Sequence, residues 1–77
     1  MKKVIILGAG EMQIPVIKKV SELGYCSIAL DYDADAVGLK YADKSYVVSS
    51  TDVDKVFEVA QKENVDALLS DMERVLS

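Results

Sequence analysis

The sequence predicts a three-layer α/β fold built on a parallel sheet. Three observations carry that reading. Short β-branched runs recur along the chain, amphipathic helical stretches separate them, and a glycine-rich turn joins the first strand to the first helix. Strands alternating with helices at this spacing are joined by crossovers, which make neighbouring strands parallel. The 77 residues suffice for one domain, residues 1–77. With roughly 60% of the unfolded surface buried at this size, its core is small.

Lys3-Val4-Ile5-Ile6-Leu7 is a continuous apolar run ending at Gly8-Ala9-Gly10, the pattern of a strand covered on both faces. From Met12 to Leu23 the spacing turns helical. Ile14, Ile17 and Val20 recur at three-residue intervals, with Val16 and Leu23 beside them. Pro15 falls in the first turn, where its missing N–H costs little, and Gly24 is the natural stop. Cys26 to Leu30 forms the second strand and ends at Asp31-Tyr32-Asp33. Ala34 to Lys44 is a polar connection with room for one helical turn, and Ser45 to Val48 is the third strand. Ser50-Thr51-Asp52 caps a second helix in which Val53, Val56, Phe57 and Ala60 share a face. Val65 to Leu69 reads as the fourth strand and Asp71 to Leu76 as the opening of another helix.

Right-handed crossovers then give the strand order 3-2-1-4, the first half of a doubly wound, Rossmann-like sheet that is incomplete on its C-terminal side. A last strand without a helix on one face exposes apolar surface. The expectation is therefore that more chain in a parent protein, or a partner, covers it, with a homodimer favoured over a monomer.

Composition narrows the function. Nine Lys and Arg against thirteen Asp and Glu give a net charge of −4. A nucleic-acid footprint needs a basic face, and an anionic membrane surface would repel this one. Val4 to Leu7 is too short for a membrane span or a signal-peptide core. One cysteine and no histidine exclude an internal disulfide, a Cys/His zinc site and a histidine-dependent triad within one chain. The lone thiol fits a reducing cytoplasm. Cys26, starting an interior strand with no histidine to activate it, reads as a small hydrophobe. Asp31, Asp33 and Asp35 lack the spacing of a calcium loop, so no metal site is expected. Tyr41 and Tyr46 read as packing residues, and the charges from Asp52 to Lys62 as a solvated helix face. No nucleophile is paired with a base, so no catalytic residue is assigned.

The binding candidates are Gly8, Gly10, Glu11, Met12, Gln13 and Asp31. A glycine-rich turn between a buried strand and a helix aims backbone N–H groups at a ligand, although any βα turn of this fold favours glycine. The dinucleotide fingerprint asks for a third small residue where Gln13 stands, which counts against NAD. Asp31, about 20 residues after the second glycine, suits either a ribose acceptor or a strand-end cap. Glu11 would repel a pyrophosphate and suits hydroxyls or an amine. Equally, it is a plain acidic residue at a helix start.

The ordered set Val4-Ile5-Ile6-Leu7-Gly8-Ala9-Gly10-Glu11-Met12-Gln13, Glu22-Leu23-Gly24-Tyr25, Leu30-Asp31-Tyr32-Asp33-Ala34-Asp35-Ala36 and Tyr41-Ala42-Asp43 resembles the N-terminal, pre-ATP-grasp domain of ATP-grasp ligases. These include carbamoyl phosphate synthetases, biotin carboxylases, amino-acid ligases and the formate-dependent glycinamide ribonucleotide transformylase group. The resemblance implies that the loop from Gly8 to Gln13 faces the ATP-grasp lobes and helps bind a small-molecule substrate. Glu11 and Met12 match the transformylase-like version. It further implies a parent enzyme that uses ATP and Mg to activate a carboxylate as an acyl phosphate, with both held by lobes in cis or from a separate chain. Ala36-Val37 departs from the Ala-Pro or Ser-Pro of many members, and the chain stops at Ser77 before any such lobe. No cofactor is therefore expected in this chain and no ligation by it alone. A free-standing Rossmann-type regulatory domain binding NAD or an adenosine nucleotide is the alternative.

Overall fold

The computed structural model describes residues 1–70, so the helix expected over 71–76 lies outside the described residues. Strand β1 (Lys3–Leu7) leads through a 3₁₀ turn (Glu11–Gln13) into helix α1 (Ile14–Glu22). Strand β2 (Cys26–Asp31) is followed by a second 3₁₀ turn (Leu39–Tyr41) and strand β3 (Lys44–Val47). Helix α2 (Val53–Glu63) and strand β4 (Ala67–Leu69) complete the described residues. The sheet is parallel throughout and runs β3-β2-β1-β4, the expected order. The polar connection holds its single helical turn, and β3 lies one residue earlier than expected.

The two-residue period of β1 divides the core. Val4 and Ile6 face α1, packing with Ala9, Ile17, Val20 and Ala29. Ile5 faces α2, packing with Cys26, Ile28, Leu30, Val56 and Val59. Both central strands are covered on both faces, which is why their sequences are continuously apolar rather than alternating. Cys26 is a buried free thiol.

The expected apolar face of α2 requires correction. Val56 and Ala60 turn inward, but Val53 is 73% and Phe57 60% exposed. Val59 and Glu63 take the inward positions instead. Residues 56, 59, 60 and 63 form one helical stripe, while 53 and 57 stand on its flank. Tyr46 does pack in the core, whereas Tyr41 is 41% exposed with the Lys18 and Lys40 ammonium groups 4.8 and 5.5 Å from its ring centre. Asp52 caps α2 as its sequence suggests, accepting the Lys55 N–H at 3.3 Å.

Candidate functional site: a braced glycine loop

The loop at the carboxyl end of β1 is held from several sides. Gly8 turns the chain at φ +91°, a conformation open to glycine at little cost, and donates its N–H to the Leu30 carbonyl at 2.7 Å. Ala9 is fully buried. Its N–H goes to Asp31 Oδ2 at 2.8 Å and its carbonyl accepts the Gly38 N–H at 2.7 Å. The Gln13 side chain folds back beneath the loop, with Nε2 donating to the Leu7 carbonyl at 3.1 Å. That amide lies 3.6 Å from where a Cβ on Gly8 would stand. Gln13 thus fills the space that a third small residue leaves open in a dinucleotide loop.

Of the six candidates, Gly8 and Gln13 build the loop, whereas Gly10, Glu11 and Met12 form its exposed tip. Asp31 stands behind it. One carboxylate oxygen takes the Ala9 N–H, and the other takes the Asp33 N–H at 2.9 Å. Asp33 repeats the pattern by accepting the Asp35 N–H at 2.9 Å. The acidic run therefore shapes the backbone after β2. Among the described residues no group of three or more His, Cys, Asp or Glu side chains is placed to hold a metal ion. No described helix is long and apolar enough to cross a membrane. An open depression of about 440 Å³ lies beside the loop system, lined by Ala34 to Val37, Leu39, Lys40, Ser45 and Val47, and none of the six candidates lines it.

Two polar networks escaped the sequence reading. At the amino ends of the strands, the Glu63 carboxylate accepts from Lys44 Nζ at 2.8 Å, Lys3 Nζ at 3.3 Å and the Tyr46 hydroxyl. The Lys44 and Tyr46 hydrogen bonds hold its pKa down at about 2 despite its burial, and push Lys44 and Tyr46 up in turn. The available signal was Glu63 falling seven residues after Val56, on the buried stripe. On the other face, Ser27 is fully buried. Its N–H donates to Asp43 Oδ2 at 2.9 Å, and its Oγ accepts the Asp43 N–H at 2.9 Å and lies 2.9 Å from Ser21 Oγ. No local spacing announces that network.

A parallel 3-2-1-4 sheet with a braced glycine turn at the carboxyl end of β1 defines a Rossmann-like α/β lobe. No protein-family profile matches the chain. Individual proteins do. It is 34% identical over 74 residues to the formate-dependent phosphoribosylglycinamide formyltransferase of Bacillus velezensis and 31% identical to that of Thermococcus kodakarensis. Each alignment takes in 96% of this chain but only 19% and 17% of the relative, so the chain spans under a fifth of their length. Among solved structures, glycinamide-RNase-transformylase T from Mycobacterium tuberculosis superposes with a TM-score of 0.81 at 29% identity, over 90% of this chain and 20% of that one. The N5-carboxyaminoimidazole ribonucleotide synthetase of Thermotoga maritima shares the fold, with a TM-score of 0.80 at 22% identity over 92% of this chain and 19% of its own. The chain is a homologue of the N-terminal domain of ATP-grasp ligases.

Proposed function

We propose that this chain is the substrate-side lobe of an ATP-dependent ligase, with its loop tip at Gly10 to Met12 holding a ribonucleotide amine of the phosphoribosylglycinamide class. The observation that carries the reading is the bracing of the loop. Asp31, Gly38 and Gln13 spend their hydrogen bonds on the backbone behind it, leaving Glu11 and Met12 exposed at the carboxyl ends of the strands. Ligands of open α/β sheets lie at that end. The Glu11 carboxylate suits hydroxyl or amine donors on such a substrate, and the similarity to phosphoribosylglycinamide formyltransferases supports the same class.

In this reading the ligase uses ATP and Mg to make an acyl phosphate that an amine then attacks, chemistry of the carbamoyl phosphate synthetase-like kind. Lobes in cis or from a separate chain hold both and meet this lobe at the loop. The lobe alone binds and does not ligate, and its setting is the cytoplasm, where the Cys26 thiol stays reduced. The alternative, an NAD or adenosine-nucleotide regulatory domain, is disfavoured by the Gln13 amide beneath the loop and by Asp31 already accepting two backbone N–H groups.

Titration of ¹⁵N-labelled chain with phosphoribosylglycinamide, ATP and NAD separates the readings. Shifts confined to Gly10, Glu11 and Met12 with phosphoribosylglycinamide, lost in Glu11→Gln, are expected. Micromolar affinity for NAD would overturn the ligase-lobe reading and establish the alternative.

A further inference from the structure

Two glycines of the chain differ in what surrounds them. A Cβ built on Gly10, at the loop tip, would meet nothing within 4 Å. A Cβ on Gly38 would stand 2.5 Å from the Ala9 carbonyl oxygen and 3.0 Å from its carbon, closer than a side chain can approach. Gly38 is buried, and its backbone lies at φ −75°, ψ −20°, where any residue is at ease. Its glycine therefore answers a need for space and not for an unusual conformation. What fills that space is the backbone of the glycine loop, with the Gly38 N–H bonded to the Ala9 carbonyl at 2.7 Å.

Both sides of this contact are anchored. Ala36, Leu39 and Ala42, from the connection that carries Gly38, pack against the core cluster that includes Val4, Ile6 and Ala9. Ala9 is itself fully buried, and Asp31 holds its N–H. The Ala9 carbonyl shares a rigid trans peptide plane with the Gly10 N–H, and the two point in opposite directions. Whatever moves that carbonyl therefore re-aims the first donor of the loop tip.

We propose that Gly38 is a positioning residue for the substrate loop. By carrying no side chain it lets the connection after β2 close on the Ala9 carbonyl, and so sets the direction in which Gly10, Glu11 and Met12 face their ligand. The inference rests on the loop tip being the substrate contact, as proposed above. A methyl group at position 38 forces the connection and the loop apart by at least about 0.5 Å. A displacement of that order in a binding constellation weakens it without unfolding the scaffold. No local pattern marks Gly38 in the sequence, because its partner lies across the fold, in the turn after β1.

Amide NMR spectra of the ¹⁵N-labelled full chain, free and titrated with phosphoribosylglycinamide, test the assignment. In Gly38→Ala the Ala9 to Met12 resonances of the free chain should move, and affinity for phosphoribosylglycinamide should fall at least about fivefold. Glu63→Ala, which destabilises the chain from the amino ends of the strands, should leave both unchanged and so separates aim from stability. Leu39→Ala loosens the same connection from the core and should move the same resonances, which decides the matter if Gly38→Ala does not fold. Loop resonances that stay in place in these two variants would overturn the proposal. So would equal shifts in Glu63→Ala, or wild-type affinity in a variant whose loop has moved. A wild-type chain that does not bind phosphoribosylglycinamide would instead remove the substrate reading, while the free-chain spectra still decide whether Gly38 positions the loop.

Discussion

Both edges of the sheet belong to short strands with one neighbour among the described residues, yet they are finished in different ways. On the β3 side, polar groups tie the edge to the rest of the molecule. Lys44 and Tyr46 bond Glu63 on one face, Asp43 bonds Ser27 on the other, and lysines lie over the rings of Tyr41 and Tyr46. Charge on an edge also discourages further strand pairing. On the β4 side, Leu68 and Leu69 are 45% and 41% exposed, and β4 is fastened to β1 by its ladder. A reciprocal pair joins Asp66 and Lys3: the Lys3 N–H donates to Asp66 Oδ2, and the Asp66 N–H donates to the Lys3 carbonyl, each at 2.9 Å. The contrast separates an edge tied down by polar contacts from one whose leucines stay exposed among the described residues.

The largest effect should come from breaking the β3 side at Glu63. Its carboxylate sits in the last turn of α2, where the helix dipole opposes a negative charge, and Lys3, Lys44 and Tyr46 offset that cost. Glu63→Ala should destabilise the fold by about 2 kcal/mol, reduced from a fully buried pair because both lysines can rehydrate. Thermal denaturation would then fall by about 10 °C. Because the folded pKa of Glu63, about 2, lies below the ordinary 4.5, its contribution is present above pH 4.5 and is lost as pH falls towards 2. Glu63→Gln should remove that part of the acid sensitivity, read as a flatter stability profile between those values.

Next in size is Ser27→Ala, which deprives the Asp43 N–H of its acceptor and should cost about 1–2 kcal/mol in urea denaturation. Asp31→Asn keeps the shape but places an amide where two N–H groups need acceptors. A loss of about 1 kcal/mol is expected, together with faster hydrogen exchange at the Ala9 amide. The smallest effect belongs to the other edge. Val53→Lys on the exposed α2 flank should change monomer stability by less than about 0.5 kcal/mol. A destabilisation above 1 kcal/mol would show that flank to be part of the monomer core and would erase the contrast.

The fold was legible because its signals are local or nearly so. β1 and the Asp52 cap of α2 coincide with their sequence patterns, and the strand order follows from crossover handedness. The face of α2 was less legible. Val53 and Phe57 lie within one helical turn of Val56 and are apolar, and periodicity alone does not say which part of a wide stripe meets the sheet. In the glycine loop, residue types marked the place. That Asp31 accepts from Ala9 and Asp33, and that Gln13 turns back to Leu7, depends on where β2 and α1 bring those side chains.

By itself, then, the sequence determined the alternation of strands and helices, the parallel 3-2-1-4 sheet, the position of the glycine turn and the relationship to ATP-grasp N-terminal domains. These rest on periodicity, short-range stereochemistry and motif order. Only the tertiary structure decided that Glu63 is buried beneath two lysines, that Ser27 and Asp43 bind each other across 16 residues, and that Val53 and Phe57 stay exposed on α2. Such contacts join residues distant in sequence, and the energy of a buried charge or a shared apolar edge depends on what the folded chain places around it.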